Sequence, residues 1–237
     1  MLAKLALVGY DRVAAVADGR VGVEGVEFEV SLLAPSEIFF RMLAEDAFDI
    51  SEMSLSSTLI HKLRGRDWTV LPVFPFRSLF HTGFLVRDEI NEPADLRGGR
   101  IGLVEYQVTA ALWGRGVLAD EFDVDPRDVT WYVERSGALS HSGAGGFLPP
   151  EGVRVEPIPD DSSLAALLVA GELDAVLPSP MPGIANRFNR TDERTLLASP
   201  GIKRLFPDPL AEARRYYAKH GFLHINHLVV VKNALVG

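Results

Sequence analysis

The chain has 237 residues, 47% of them hydrophobic and 24% charged, an ordinary globular composition with room for one large domain or two small ones. A net charge of −8 with no run of Lys or Arg argues against nucleic acid or an anionic membrane as the main partner, while leaving room for an anionic small ligand in a locally positive pocket. The absence of cysteine excludes disulfides, thiolate metal sites and a cysteine nucleophile.

The chain opens with MLAKLALVGYDRV, whose short apolar stretch is interrupted by Tyr10, Asp11 and Arg12. It lacks the basic start and small-residue cleavage site of a signal peptide and reads instead as a buried strand over 5–10. No stretch approaches the ~18 apolar residues of a membrane helix, so a cytoplasmic protein is expected. Asp11 is placed to cap the short helix RVAAVAD before Gly19. EFEVSLLA (27–34) predicts a second strand. Ser36, after Pro35, predicts the cap of a helix with Ile38, Phe39, Met42 and Leu43 on one face. FDISEM is the next strand and SLSSTLIHKLRG the next helix, stopped at Gly65; WTVLPVF and HTGFLVRD are two further strands with PFRSLF between them.

Polar, turn-rich NEPADLRGGR (91–100) marks a crossing into a second lobe. IGLVEY, the helix TAALWGRGVLADEF and the strand VTWYVE follow, then a Gly-, Ser- and Pro-rich segment at 136–152. Its GAGG could nest a phosphate, but no helix signal follows, so a plain loop is the better reading. DDSSLAALLVAGELDAVLPS gives a capped helix, a stop at Gly171 and a strand. Asp208 and Pro209 start the helix PLAEARRYYAKH, stopped at Gly221, and INHLVVVK is the last strand. Repeated βα units predict mainly parallel sheets covered by helices. Residues 1–90 and 195–237 are expected to form a first, discontinuous lobe and 91–194 a second.

Open α/β sheets bind ligands beyond the carboxyl ends of their strands, where helix amides point outward. Tyr10 and Asp11, Glu52 and Ser54, Tyr106, Gln107 and Thr109, and Ser179 all stand at such junctions. Taken singly each serine or threonine is an N-cap; together they predict one cleft for a carboxylate or phosphate. Arg77 and His81 lie in the mostly apolar FPFRSLFHTG, where a buried Arg needs either an acid, such as Glu52, or an anionic ligand. His81 near an Arg and a carboxylate is a candidate general acid, although a lone histidine beside apolar residues is more often hydrogen-bonded core. His224 and His227 look like a metal motif, but residues three apart on a strand face opposite sides. No metal, dinucleotide, P-loop or serine-hydrolase motif is present, and no cofactor is expected.

The stretches YDRVAAVADGRVGVEGVEFEV, FFRMLAEDAFDISEMSLSS, LPVFPFRSLFHTGFLV, PADLRGGRIGLVEYQVTAALWGRGVL and LFPDPLAEARRYYAKHGFLHINHLVVV resemble, in order and over nearly the whole chain, the 4,5-dihydroxyphthalate decarboxylase family. The resemblance implies a two-lobed type II periplasmic-binding-protein-like fold, with mixed sheets flanked by helices and the ligand cleft between the lobes. It also implies decarboxylation of a hydroxylated aromatic dicarboxylate to a dihydroxybenzoate, with His81 protonating the ring carbon, Arg77 holding the spared carboxylate and Glu52 in support. Tyr10, Asp11, Ser54, Tyr106, Gln107, Thr109, Ser179 and His227 would line the substrate site. Two departures stand out: Phe80 precedes His81 where the family carries an arginine, and the family continues past the last strand with helices that pack back on the first lobe. The chain is therefore expected to be either a fragment or a shortened relative. The alternatives are a non-catalytic solute-binding or sensor protein for a small carboxylate, and an enzyme of small-molecule biosynthesis on the same fold. The expected partner is a small aromatic or other carboxylate, with a homo-oligomer left open.

Overall fold

The computed structural model describes residues 1–135, 137–141, 146–179 and 188–236. Short, largely buried apolar runs form most of the first sheet. In it β1 (Leu2–Leu7) pairs in parallel with β2 (Glu27–Leu32) and with β3 (Ile50–Ser54), and β4 (Trp68–Arg77) forms an edge. In the second sheet β5 (Leu85–Arg87), β6 (Arg100–Leu103), β7 (Thr130–Val133), β8 (Arg154–Pro157), β9 (Ala175–Leu177) and β10 (Ile202–Arg204) stand in the order β10-β5-β9-β6-β7-β8. The last strand, β11 (Ile225–Lys232), returns to the first sheet and inserts between β3 and β4.

Both sheets are mixed. The chain arrives at β11 from the second lobe, at the end of the sheet where β1 and β3 leave it, so β11 runs antiparallel to β3 and β4. In the second sheet β6, β7, β8 and β9 are parallel, while β5 is antiparallel to both β9 and β10. This pairing corrects the expected lobe boundaries: residues 85–90 and 195–204 were assigned to the first lobe, but β5 and β10 belong to the second sheet. Leu85 and Val86, fully buried there, are core residues of the second lobe. The chain thus crosses between lobes at 78–84 and again at 205–224.

Each sheet is covered by its own apolar cluster. In the first lobe the helix Pro35–Ala44 lays Ile38, Phe39, Met42 and Leu43 against Ala6, Met53, Leu228 and Val230, as its spacing predicts. Three local expectations change. Ala34, not Ser36, is the N-cap of that helix, with Pro35 at its first position, and the Ser36 hydroxyl is used elsewhere. Asp11 makes no capping bond; it begins a 3-10 turn (Asp11–Val13) that leads into the short helix Ala14–Ala17. The predicted strand HTGFLVRD is a 3-10 turn over Phe80–Gly83 followed by β5. Among the described residues no helix is long and apolar enough to cross a membrane.

The helix Thr109–Phe122 lies close against the second sheet because Gly114 has no side chain there. A Cβ at Gly114 would sit 2.9 Å from Leu177 Cδ2 and 3.2 Å from Cε2 of the fully buried Phe84 ring. Gly114→Val is expected to cost about 1–3 kcal/mol through overpacking, read as a lower urea midpoint. An unchanged midpoint would show that the helix can stand off the sheet without loss.

Candidate active site

Glu52, near the end of β3, is fully buried, and every contact its carboxylate makes is one in which it accepts. The backbone N–H of Val8 donates to Oε2 at 3.1 Å, the Tyr10 hydroxyl donates to Oε1 at 3.1 Å, and His227 Nδ1 lies 2.6 Å from Oε1. The antiparallel register that sets Val229 opposite Glu52 and His227 opposite Ser54 makes this a diagonal cross-strand pair. The ladder between β11 and β4 shifts register on both sides of His227. Such bulges re-aim side chains, and here the imidazole is seated against the edges of Phe39 and Phe76, with ring centroids at 4.9 and 5.2 Å. Because a carboxylate only accepts, Nδ1 carries the proton given to Glu52, and Nε2 is left to accept from Asn226 Nδ2 at 3.1 Å. Burial first, then the charge and hydrogen bond of Glu52, push the Tyr10 phenol pKa up, so this tyrosine stays a donor.

The facing wall comes from the second lobe. Arg135, just past β7, donates from Nη1 to Glu105 Oε2 (3.2 Å), from Nε to Asn189 Oδ1 (3.0 Å) and, across the lobes, from Nη2 to Ser36 Oγ (2.7 Å). Ser140 donates to the other oxygen of Glu105 at 2.5 Å. The His141 Nε2–H donates to the Ser36 carbonyl at 3.2 Å, which leaves Nδ1 to accept from Arg135 at 3.2 Å. Burial and then the adjacent guanidinium push the His141 pKa down to about 3, so it is a neutral spacer and not an acid. Ser54 Oγ lies 2.8 Å from Thr109 Oγ1, which also accepts the Ser56 N–H at 2.9 Å, and Ser57 Oγ donates to Gln107 at 3.3 Å. These bonds close the lobes over a narrow cleft of about 50 Å³, into which Ser36, Ser54, Thr109, Arg135, Ser179, Asn226 and His227 are set.

Of the residues singled out from the sequence, Ser54, Thr109, Ser179 and His227 line this cleft. Glu52 stands directly behind His227, and Tyr10 behind Glu52. The others lie elsewhere. Asp11 is exposed at its turn, and Tyr106 and Gln107 face a separate groove beyond Ser56. Arg77 does not pair with Glu52, whose oxygens are taken; it is exposed and donates to the Leu223 carbonyl at 3.1 Å. His81 is fully buried against Glu212, 2.9 Å from its Nε2, in the crossing between the lobes. Ser36 was read only as a helix cap, and Arg135, His141 and Asn226 went unnoticed in the sequence. Arg135 carried a usable signal, since it follows the carboxyl end of a strand like the residues that were picked. The candidate nest GAGG falls largely outside the described residues. Among the described residues no group of three or more His, Asp or Glu is arranged to hold a metal ion.

No protein-family model matches the chain. It is 34% identical over 234 residues to the 4,5-dihydroxyphthalate decarboxylase of Comamonas testosteroni, a match covering 98% of the chain and 68% of that protein. It is 34% identical over 219 residues to the enzyme of that name from Pseudomonas putida, covering 90% of the chain and 80% of the relative. Among solved structures it is similar to the alkanesulfonate-binding protein SsuA of Xanthomonas axonopodis pv. citri bound to MOPS, with a TM-score of 0.55 and 14% identity. The periplasmic aliphatic sulphonate binding protein SsuA of Escherichia coli matches at 0.54 and 11%. The chain is covered to 99% and 98% in these two comparisons and spans 66% and 65% of those proteins, about two thirds of their length. The likeness shows the fold, which is two-lobed and of the type II periplasmic-binding-protein kind.

The histidines outside the cleft have a structural role. His224 lies before β11, so it and His227 are not strand neighbours: His224 stacks on Trp113 at 4.2 Å with the rings 6° from parallel, and neither of its buried nitrogens has a partner. Burial, then the neighbouring His81 and His220, push its pKa down to about 4, and burial also lowers that of His81 against the pull of Glu212. A histidine whose folded pKa lies below its unfolded value of about 6.5 lets the unfolded chain take up protons first. Stability is therefore expected to fall as the pH drops from about 6.5 to about 4. His224→Phe, which keeps the stack and removes the titrating group, should flatten that slope in urea midpoints measured across the range. A slope equal to the wild type's would assign the loss to other groups.

Proposed function

The chain belongs to the 4,5-dihydroxyphthalate decarboxylase family, and we propose that it removes CO₂ from a hydroxylated aromatic ortho-dicarboxylate of that type, giving a dihydroxybenzoate. The observation that carries this reading is the buried Glu52–His227 pair on one side of a closed cleft, with the Arg135 guanidinium on the other. Decarboxylation of such a ring needs a proton delivered to the carbon that bears the leaving carboxylate. It also needs an electron donor in the ring and a hold on the carboxylate that stays.

His227 supplies the proton. In its protonated form, with the Asn226 amide N–H no longer donating to it, Nε2–H is the donor and Glu52, at 2.6 Å from Nδ1, is the balancing anion. The substrate hydroxyl para to the leaving carboxylate carries positive charge while the ring carbon is protonated. The bond to the carboxylate then breaks, its electron pair restores the aromatic ring and CO₂ departs. Solvent returns a proton to His227. Arg135 faces the spared carboxylate, exchanging its bond to Ser36 for one to the ligand. Ser54 and Thr109 offer hydroxyls to the ring substituents, and closing the lobes excludes water from the charged intermediate.

Proton and carbon NMR of 4,5-dihydroxyphthalate with the purified protein tests this directly: a new ring proton should grow in as CO₂ appears. His227→Gln should lower turnover by roughly 10²- to 10⁴-fold, the usual worth of a positioned general acid, while ligand line-broadening persists. Arg77→Ala and His81→Gln should retain wild-type turnover, since neither lines the cleft. Broadened lines without conversion by the wild type would replace this reading with a binding protein for small carboxylates. Full activity in His227→Gln would move the proton donor elsewhere.

A further inference from the structure

On the far side of the Ser56–Thr109 contact from the cleft, a groove of about 440 Å³ runs between the helix Leu55–Leu63 of the first lobe and the helix Thr109–Phe122 of the second. Its walls are apolar: Leu59 and Leu112, about half exposed, stand opposite Tyr106 and Phe147. Set among them is Arg115, only 6% exposed. Its guanidinium lies 3.6 Å from the centre of the Tyr106 ring, and Nη1 donates to the Tyr106 carbonyl at 2.5 Å. Among the described residues no carboxylate pairs with it and its remaining N–H groups make no hydrogen bond. Arg135, equally buried, has Glu105. Burial lowers the Arg115 pKa to about 10 in spite of the Tyr106 contacts, which marks how little its surroundings compensate the charge. Beside it Gln107, also buried, has a side-chain amide Nε2 with no partner.

A buried cation whose one acceptor is a backbone carbonyl, beside a buried amide donor with none among the described residues, in a groove otherwise lined mostly by carbon, calls for a ligand that brings an anion and an apolar body together. We propose that this groove is a second binding site, separate from the cleft, for a carboxylic acid with an apolar, ring-sized body: the carboxylate meets Arg115 and Gln107, and the body lies against Leu59, Leu112 and Phe147. Charge complementarity selects the acid, and the single guanidinium with one amide suits a monocarboxylate. Since the two walls belong to different lobes, an occupant bridges them independently of the substrate. The site stands whether or not the cleft decarboxylates anything.

The test is a titration of the full chain with 2-naphthoate, followed by calorimetry and by amide NMR shifts. Saturable binding is expected, with shifts at Leu59, Leu112 and Gly116 and none at His227. Arg115→Met keeps the stem over Tyr106 and removes the charge; it should weaken binding roughly tenfold or more, as loss of a charge-assisted bond does. Gly116→Leu is the safeguard against a folding defect, because Gly116 lines the groove and a Cβ there meets no atom within 4 Å. It too should weaken binding while leaving the urea midpoint unchanged or higher. No binding, shifts confined to Ser54, Thr109 and His227, or an affinity that both variants leave unaltered would overturn the proposal.

Discussion

The 2.6 Å contact between Glu52 and His227 can form only because β11 is threaded between β3 and β4 after the chain has built the whole second lobe. Much else follows from that insertion. It fixes the antiparallel register that brings residue 227 beside residue 52 across 175 residues of sequence. It also forces two crossings between the lobes, and these are knitted by the His81–Glu212 contact and by the stack of His224 on Trp113. A buried carboxylate would be costly alone; here a backbone amide, a phenol and an imidazole share its lone pairs. The same grouping that makes Glu52 tolerable in the core gives His227 its orientation.

Around the cleft the two lobes meet through small hydroxyls and the Arg135 guanidinium. Ser54, Ser56 and Thr109 form a compact knot, and Arg135 reaches across to Ser36. Such contacts hold the polar part of the closed state, beside the Phe40–Phe188 ring contact that also joins the lobes. Hydroxyls and a guanidinium bond equally well to a ligand carboxylate or phenol, so exchange of partners on binding costs little. A seam of leucines would have held the lobes more firmly and offered a polar ligand nothing.

Local physics made the strands and most helices legible. The short apolar runs, the Asp208–Pro209 start with Gly221 at the end, and the capped start of the helix Leu164–Val169 all read from neighbours in sequence. What failed was long-range. Ser36 sits at a helix start and looks like a cap, yet its hydroxyl answers a guanidinium 99 residues away. Arg77 and His81 looked like ligand-holding groups because they interrupt an apolar run. A run of that kind cannot show that Arg77 turns outward to a carbonyl at 223 or that His81 meets Glu212. The lobe boundary slipped because β5 and β10 are only three residues each, too short for periodicity to assign to a sheet. Arg135 was missed although the strand-end rule that picked Ser54 and Thr109 applies to it as well.

The edge strand β4 carries a consequence for how copies of the chain meet. Between Leu71 and Phe76 no residue of β4 is in register with β11, and that interval holds Pro72 and Pro75, which have no N–H to give. Val73 and Phe74 in the same interval are 50% and 38% exposed, an apolar edge of the kind on which stray strands add and aggregates grow. With two donors missing and the backbone bulged, that edge is a poor template for another molecule's strand. A sheet continued through copies of this protein would therefore find a poor template along this stretch of β4.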